Sequence, residues 1–170
     1  MTLEQLNSAP AGTAAALLSR VMGSRAWVEA MLAARPFASR EALLEAASQA
    51  SDRMKVADWL EAFGAHPRIG DVSELRRGFA STAAWASREQ AGAAGAGEET
   101  LRALAEGNRA YEERFGFRFI VCATGKSAEE MLGILRARLT GRLEAEWRIA
   151  AMEQVQISRL RLEKLLAEES

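Results

Sequence analysis

EETLRALAEGNRAYEERFG, Glu98 to Gly116, decides the fold class. Leu101, Leu104, Asn108, Tyr111 and Phe115 recur at steps of three and four, which draws one stripe along a 3.6-residue helix with charged residues around it. Gly116 closes the helix. The same grammar runs outward in both directions. Leu3 and Leu6 fit a short opening helix, and Pro10 starts a second that runs through Leu17, Leu18 and Val21 to a stop at Gly23. Ser24 caps a third, with Trp27, Val28 and Met31 inward, ended by Pro36. Ser39 caps a fourth carrying Leu43, Leu44 and Ala47. In Met54 to Phe63, residues Val56, Trp59, Leu60 and Phe63 share a face, and Gly64 is expected as a left-handed C-terminal residue.

Downstream, Ser127 and Glu130 have capping-box spacing and open a helix with Met131, Ile134, Leu135 and Leu139. Gly141 breaks it. The last helix runs from about Leu143 to Leu166, with Leu143, Trp147, Ala150, Ala151, Ile157, Leu160 and Leu165 expected inward. Ser87 and Gln90 have the same capping spacing, and the Ala/Gly stretch 91–97 after them reads as a loop. Alanine is abundant and only Pro10, Pro36 and Pro67 interrupt the chain, which also favours helix. The expected architecture is all-α: a single domain over 1–170, a bundle of roughly eight to ten helices. The exception is Phe117 to Ala123, short, apolar and partly β-branched. It reads as one strand or extended buried segment, whose N–H groups need partners from a ligand, from packing or from water.

Composition removes several function classes. Twenty-two basic and 23 acidic residues leave a net charge of -1, unlike a protein that coats nucleic acid or an anionic membrane. One cysteine, Cys122, excludes an intramolecular disulfide, and one histidine with one cysteine cannot build a zinc site of the usual kind. The start of the chain does not resemble a signal peptide, and no apolar run approaches the ~20 residues that span a bilayer. A cytoplasmic location is expected.

Three groups could do chemistry. The only histidine, His66, opens the run HPRIG at His66 to Gly70. Its ordinary pKa lies near neutrality, and Pro67 suits the first position of a helix. A histidine at that helix start is disfavoured as imidazolium, so it serves as a neutral proton carrier or as a mere cap. Glu89 stands in a second helix start. Arg161 lies a turn beyond Ile157 near the inner face of the last helix, where a guanidinium requires an anionic partner. An imidazole, a carboxylate and a guanidinium suit a small anionic substrate.

HPRIG, then WASREQAGA at Trp85 to Ala93, NRAYEERFGFRFIVCATGKSAEEML at Asn108 to Leu132 and ISRLRLEKLL at Ile157 to Leu166 resemble, in that order and spacing, the OHCU decarboxylase family. The resemblance covers almost the whole chain. It implies an all-α homodimer without cofactor or metal. The reaction implied is conversion of 2-oxo-4-hydroxy-4-carboxy-5-ureidoimidazoline, from urate oxidation, to (S)-allantoin and carbon dioxide. It also implies that His66 is the catalytic histidine with Glu89 beside it. Pro67, Gln90 and Arg161 would contact substrate, as would the backbone of Phe119, Ile120, Val121, Cys122 and Ala123. Many members carry a serine three residues before the glutamate. Here that residue is Ala86, and Ser87 either takes over the contact or only caps the helix. The competing readings are a decarboxylase of a related ureido acid and a non-catalytic helical domain that docks through Arg159, Arg161 and Lys164.

Overall fold

The computed structural model describes residues 1–66 and 94–167, and every regular element among them is a helix. In chain order these are α1 (Leu3–Ser8), α2 (Ala11–Val21), α3 (Arg25–Ala33), α4 (Arg40–Asp52), α5 (Val56–Gly64), α6 (Ala94–Phe115), α7 (Ala128–Leu139) and α8 (Leu143–Ala167). The chain forms two compact units: Met1–His66 with Ala151–Ser170, and Pro67–Ala150.

In the first unit the expected caps are in place. The Ser24 hydroxyl accepts from the Trp27 N–H, and Ser39 from that of Ala42. Each cap satisfies an N–H that the first helical turn leaves unpaired. Leu6, Leu18, Met22, Trp27, Met31, Leu43 and Leu162 are completely buried in one core. Burying each large apolar side chain stabilises the fold by about 1.5–3 kcal/mol. The Trp27 indole N–H is satisfied by the Ala47 carbonyl at 3.1 Å. In the second unit α6 packs against α7, and Leu101, Leu104, Tyr111, Ile120 and Leu135 are buried.

Four sequence expectations are corrected. The loop expected over 91–97 is helical from Ala94 onward, because alanine favours helix and the buried Gly97 joins the packed stripe of Leu101 and Leu104. Gly64 is not left-handed: α5 runs through it, and Ala65 ends the helix at φ -76°. The buried stripe of α5 passes through Ala62 and Phe63, which leaves Val56 and Leu60 exposed. On α8 Leu143 is exposed, and the buried positions are Glu146, Ala150, Gln154, Ser158 and Leu162, at steps of four. Three of those five are polar, so apolar periodicity found Ala150 but not the rest of the buried stripe. Gly116 does close α6 in the left-handed region, at φ 78°.

Candidate active site

His66 follows α5 directly, and its N–H donates to the Phe63 carbonyl at 3.3 Å as the helix ends. Its Nε2 lies 2.5 Å from Oε1 of Gln154. Gln154 Nε2 donates to the Ser158 hydroxyl at 3.2 Å, and that hydroxyl donates to the Val21 carbonyl at 3.4 Å. Gln154 and Ser158 sit one turn apart on α8 and are almost wholly buried. A buried amide and hydroxyl without partners would cost about 1–3 kcal/mol each. The chain His66–Gln154–Ser158–Val21 removes that penalty and holds the imidazole in place.

Arg161, a turn beyond Ser158, joins the same chain. Its NH1 donates to the Val21 carbonyl at 3.0 Å and to that of Arg20 at 3.3 Å. These are the last carbonyls of α2, the negative end of its dipole. The anionic partner expected from sequence is therefore replaced by a helix C-terminus. Partial burial pushes the guanidinium pKa below its usual value, and the group stays charged. Among the described residues its Nε and NH2 donate to nothing, so one edge of the guanidinium fork is not committed to the α2 carbonyls. His66 and Arg161 are thus brought together, through Val21, within the first unit.

Gly23 fixes the far side of this arrangement. A Cβ at Gly23 would collide with Cβ of Ala65, the residue before His66. Gly23→Ala is expected to lower stability by about 1–3 kcal/mol and to reduce turnover, because the end of α5 must shift. The double variant Gly23→Ala/Ala65→Gly, which removes the colliding methyl, should recover both, as read by thermal melts and initial rates.

Phe119 to Ala123 lie in the second unit and are extended without forming a strand. The Arg138 guanidinium sets their course. It donates through NH1 to the Ile120 carbonyl at 2.6 Å, through Nε to Glu146 at 2.8 Å and through NH2 to the Tyr111 hydroxyl at 3.1 Å. Tyr111 in turn donates to Glu146 at 2.7 Å. Burial, then this bond to Glu146, push the Tyr111 phenol far above its ordinary pKa, so it stays protonated as a donor. Arg138 also stacks over the Phe119 ring at 4.8 Å. Further along, the Lys126 ammonium donates to the Cys122 carbonyl at 2.7 Å. The Ile120 and Cys122 carbonyls of this segment are thus held by cations. Among the described residues the N–H groups of Phe119, Ile120, Val121 and Ala123 meet no acceptor.

Pro67, Ser87, Glu89 and Gln90 lie outside the described residues, as does the helix expected to start at Pro67. Gln154, Ser158, Arg138, Glu146 and Tyr111 were missed as site residues from sequence. The available signal was polar side chains on α8 at 146, 154 and 158, in the four-residue register of the buried Ala150 and Leu162.

The sequence model of OHCU decarboxylase matches residues 7–163. The chain belongs to the OHCU decarboxylase family. A 2-oxo-4-hydroxy-4-carboxy-5-ureidoimidazoline decarboxylase of Haloferax volcanii is 28% identical over 99% of this chain and 98% of its own length. The decarboxylase of Amia calva is 31% identical over 81% of this chain and 78% of its own. The uric acid degradation bifunctional protein TTL of Arabidopsis thaliana is 37% identical over 87% of this chain, which spans 46% of that protein. The chain thus covers less than half of this bifunctional relative. Among solved structures, an OHCU decarboxylase crystallised in the presence of (S)-allantoin superposes with a TM-score of 0.70 at 38% identity. That match covers 88% of this chain and 96% of the other. No helix among the described residues is long and apolar enough to cross a membrane.

Proposed function

We propose that this chain, as one functional domain, decarboxylates 2-oxo-4-hydroxy-4-carboxy-5-ureidoimidazoline to (S)-allantoin and carbon dioxide in urate breakdown. The carrying observation is His66 and Arg161 tied to one buried chain of polar groups. The near full-length match to the Haloferax decarboxylase supports it. Loss of carbon dioxide leaves an electron pair that the adjacent ring C=N accepts, so the substrate is its own electron sink. The protein has to orient the leaving carboxylate, steady the ring and place one proton on one face. His66 moves the proton. Glu89 orients His66 or binds the ureido N–H groups, and Pro67, Ser87, Gln90 and the outer edge of Arg161 bind the rest of the substrate. The N–H groups of Phe119 to Ala123 meet oxygens on which negative charge develops. In this reading the enzyme is a cytoplasmic homodimer that needs no cofactor.

The test is to generate the substrate in situ from urate with uricase and hydroxyisourate hydrolase and to follow circular dichroism of the product. Optically active (S)-allantoin should appear faster than the spontaneous decay produces allantoin. Racemic product at the spontaneous rate would overturn the reading in favour of a docking domain or another ureido acid.

A further inference from the structure

We propose that Gln154 is a positioning residue that holds His66 as its Nε2–H tautomer, so that Nδ1 is the ring nitrogen that takes up and returns the reaction's proton. The identity of the reaction rests on the reading above; the tautomer does not. The buried chain of partners has a direction. It ends on the Val21 carbonyl, which has no hydrogen to give. Running from His66 toward Val21, each link is a proper bond: imidazole N–H to amide oxygen, amide N–H to hydroxyl oxygen, hydroxyl O–H to carbonyl. Reversing the Gln154 amide would put its N–H on His66 and its oxygen on Ser158. The single Ser158 hydrogen would then go to Gln154, and Val21 would lose that donor. Three bonds become two, although Gln154, Ser158 and Val21 are each buried to within 3% of completely.

The charge states point the same way. A histidine that carries a proton alternates between imidazole and imidazolium, and Nε2 of the imidazolium always bears hydrogen. Only an amide oxygen facing Nε2 accepts in both states. The reverse orientation would require Gln154, packed on α8 at 0% exposure, to flip in every turnover. With Nε2–H fixed, the lone pair of the neutral ring is on Nδ1. Protonation there strengthens the bond to Gln154 without moving it.

One histidine in the chain makes the test direct. In protein labelled with 15N in the imidazole, held above the pH at which the ring titrates, the two ring nitrogens give distinct resonances with no ambiguity of residue. Nε2 in the protonated, pyrrole-type region and Nδ1 in the pyridine-type region is the expected result. The opposite pattern would overturn the proposal, with no substrate or variant needed. Gln154→Met keeps the length but removes the acceptor. It should shift the ring toward a mixture of tautomers and lower kcat on the order of 10–100-fold, with KM nearly unchanged, the scale of loss when the partner that fixes a metal-bound histidine's tautomer is removed. A Gln154→Met protein with wild-type tautomer and wild-type kcat would also overturn it. Should that variant not fold, the wild-type spectrum decides alone. A wild-type protein that shows the Nε2–H tautomer but no decarboxylation would sink the reaction, not the tautomer.

Discussion

His66→Gln is expected to slow enzymatic formation of (S)-allantoin by about 10²–10⁴-fold, the usual contribution of a positioned acid–base group, while the protein melts close to the wild-type temperature. Glutamine is a stringent replacement here. Its amide N–H can still reach Oε1 of Gln154, so the buried chain to Ser158 and Val21 keeps its first donor. What disappears is a ring nitrogen able to take up and return a proton. The main effect should therefore fall on kcat, and circular dichroism progress curves over a range of substrate concentration separate it from KM. Near-normal turnover in a folded His66→Gln protein would remove His66 from the reaction. An equal loss of turnover and of melting temperature would mean that His66 acts as a structural cap for the end of α5.

The helices were legible from caps and periodicity because those signals are local. Ser24, Ser39 and Ser127 each satisfy an N–H three residues on, within reach of a sequence window. The inner face of α8 was not legible, because what buries Gln154, Ser158 and Glu146 is distant in the chain. Ser158 answers a carbonyl 137 residues away, and Glu146 answers Tyr111, 35 residues away. A buried polar residue is tolerated only when its partner is present, and the partner cannot be read from the helix that carries it. The same holds for Arg161, which is exposed beside the buried Ser158 and Leu162 and whose partner is a helix terminus rather than a side chain. His66 stood out from its rarity and from HPRIG. That its ring would be held by α8 required the fold.

Arg138→Met should destabilise the protein by about 3–5 kcal/mol, because it leaves the Glu146 carboxylate buried at 2% exposure with only the Tyr111 hydroxyl for company. For a chain of this length that is a fall in Tm on the order of 10 °C. The loss comes mainly from the abandoned charge rather than from the intrinsic strength of the ion pair. Adding Glu146→Leu and Tyr111→Phe removes the stranded carboxylate and hydroxyl together, and most of the stability should return. Recovery should be incomplete, since the Ile120 carbonyl keeps its place and loses the guanidinium at 2.6 Å. One unsatisfied buried acceptor accounts for a residual deficit of about 1–3 kcal/mol. That remainder carries the functional content. Arg138 grips the Ile120 carbonyl, within the segment whose N–H groups are proposed to face the substrate, and the apolar triple variant has nothing to grip it with. The triple variant should therefore regain much of its Tm yet turn over more slowly than wild type. A triple variant restored in both Tm and turnover would show that the extended segment holds its course without Arg138.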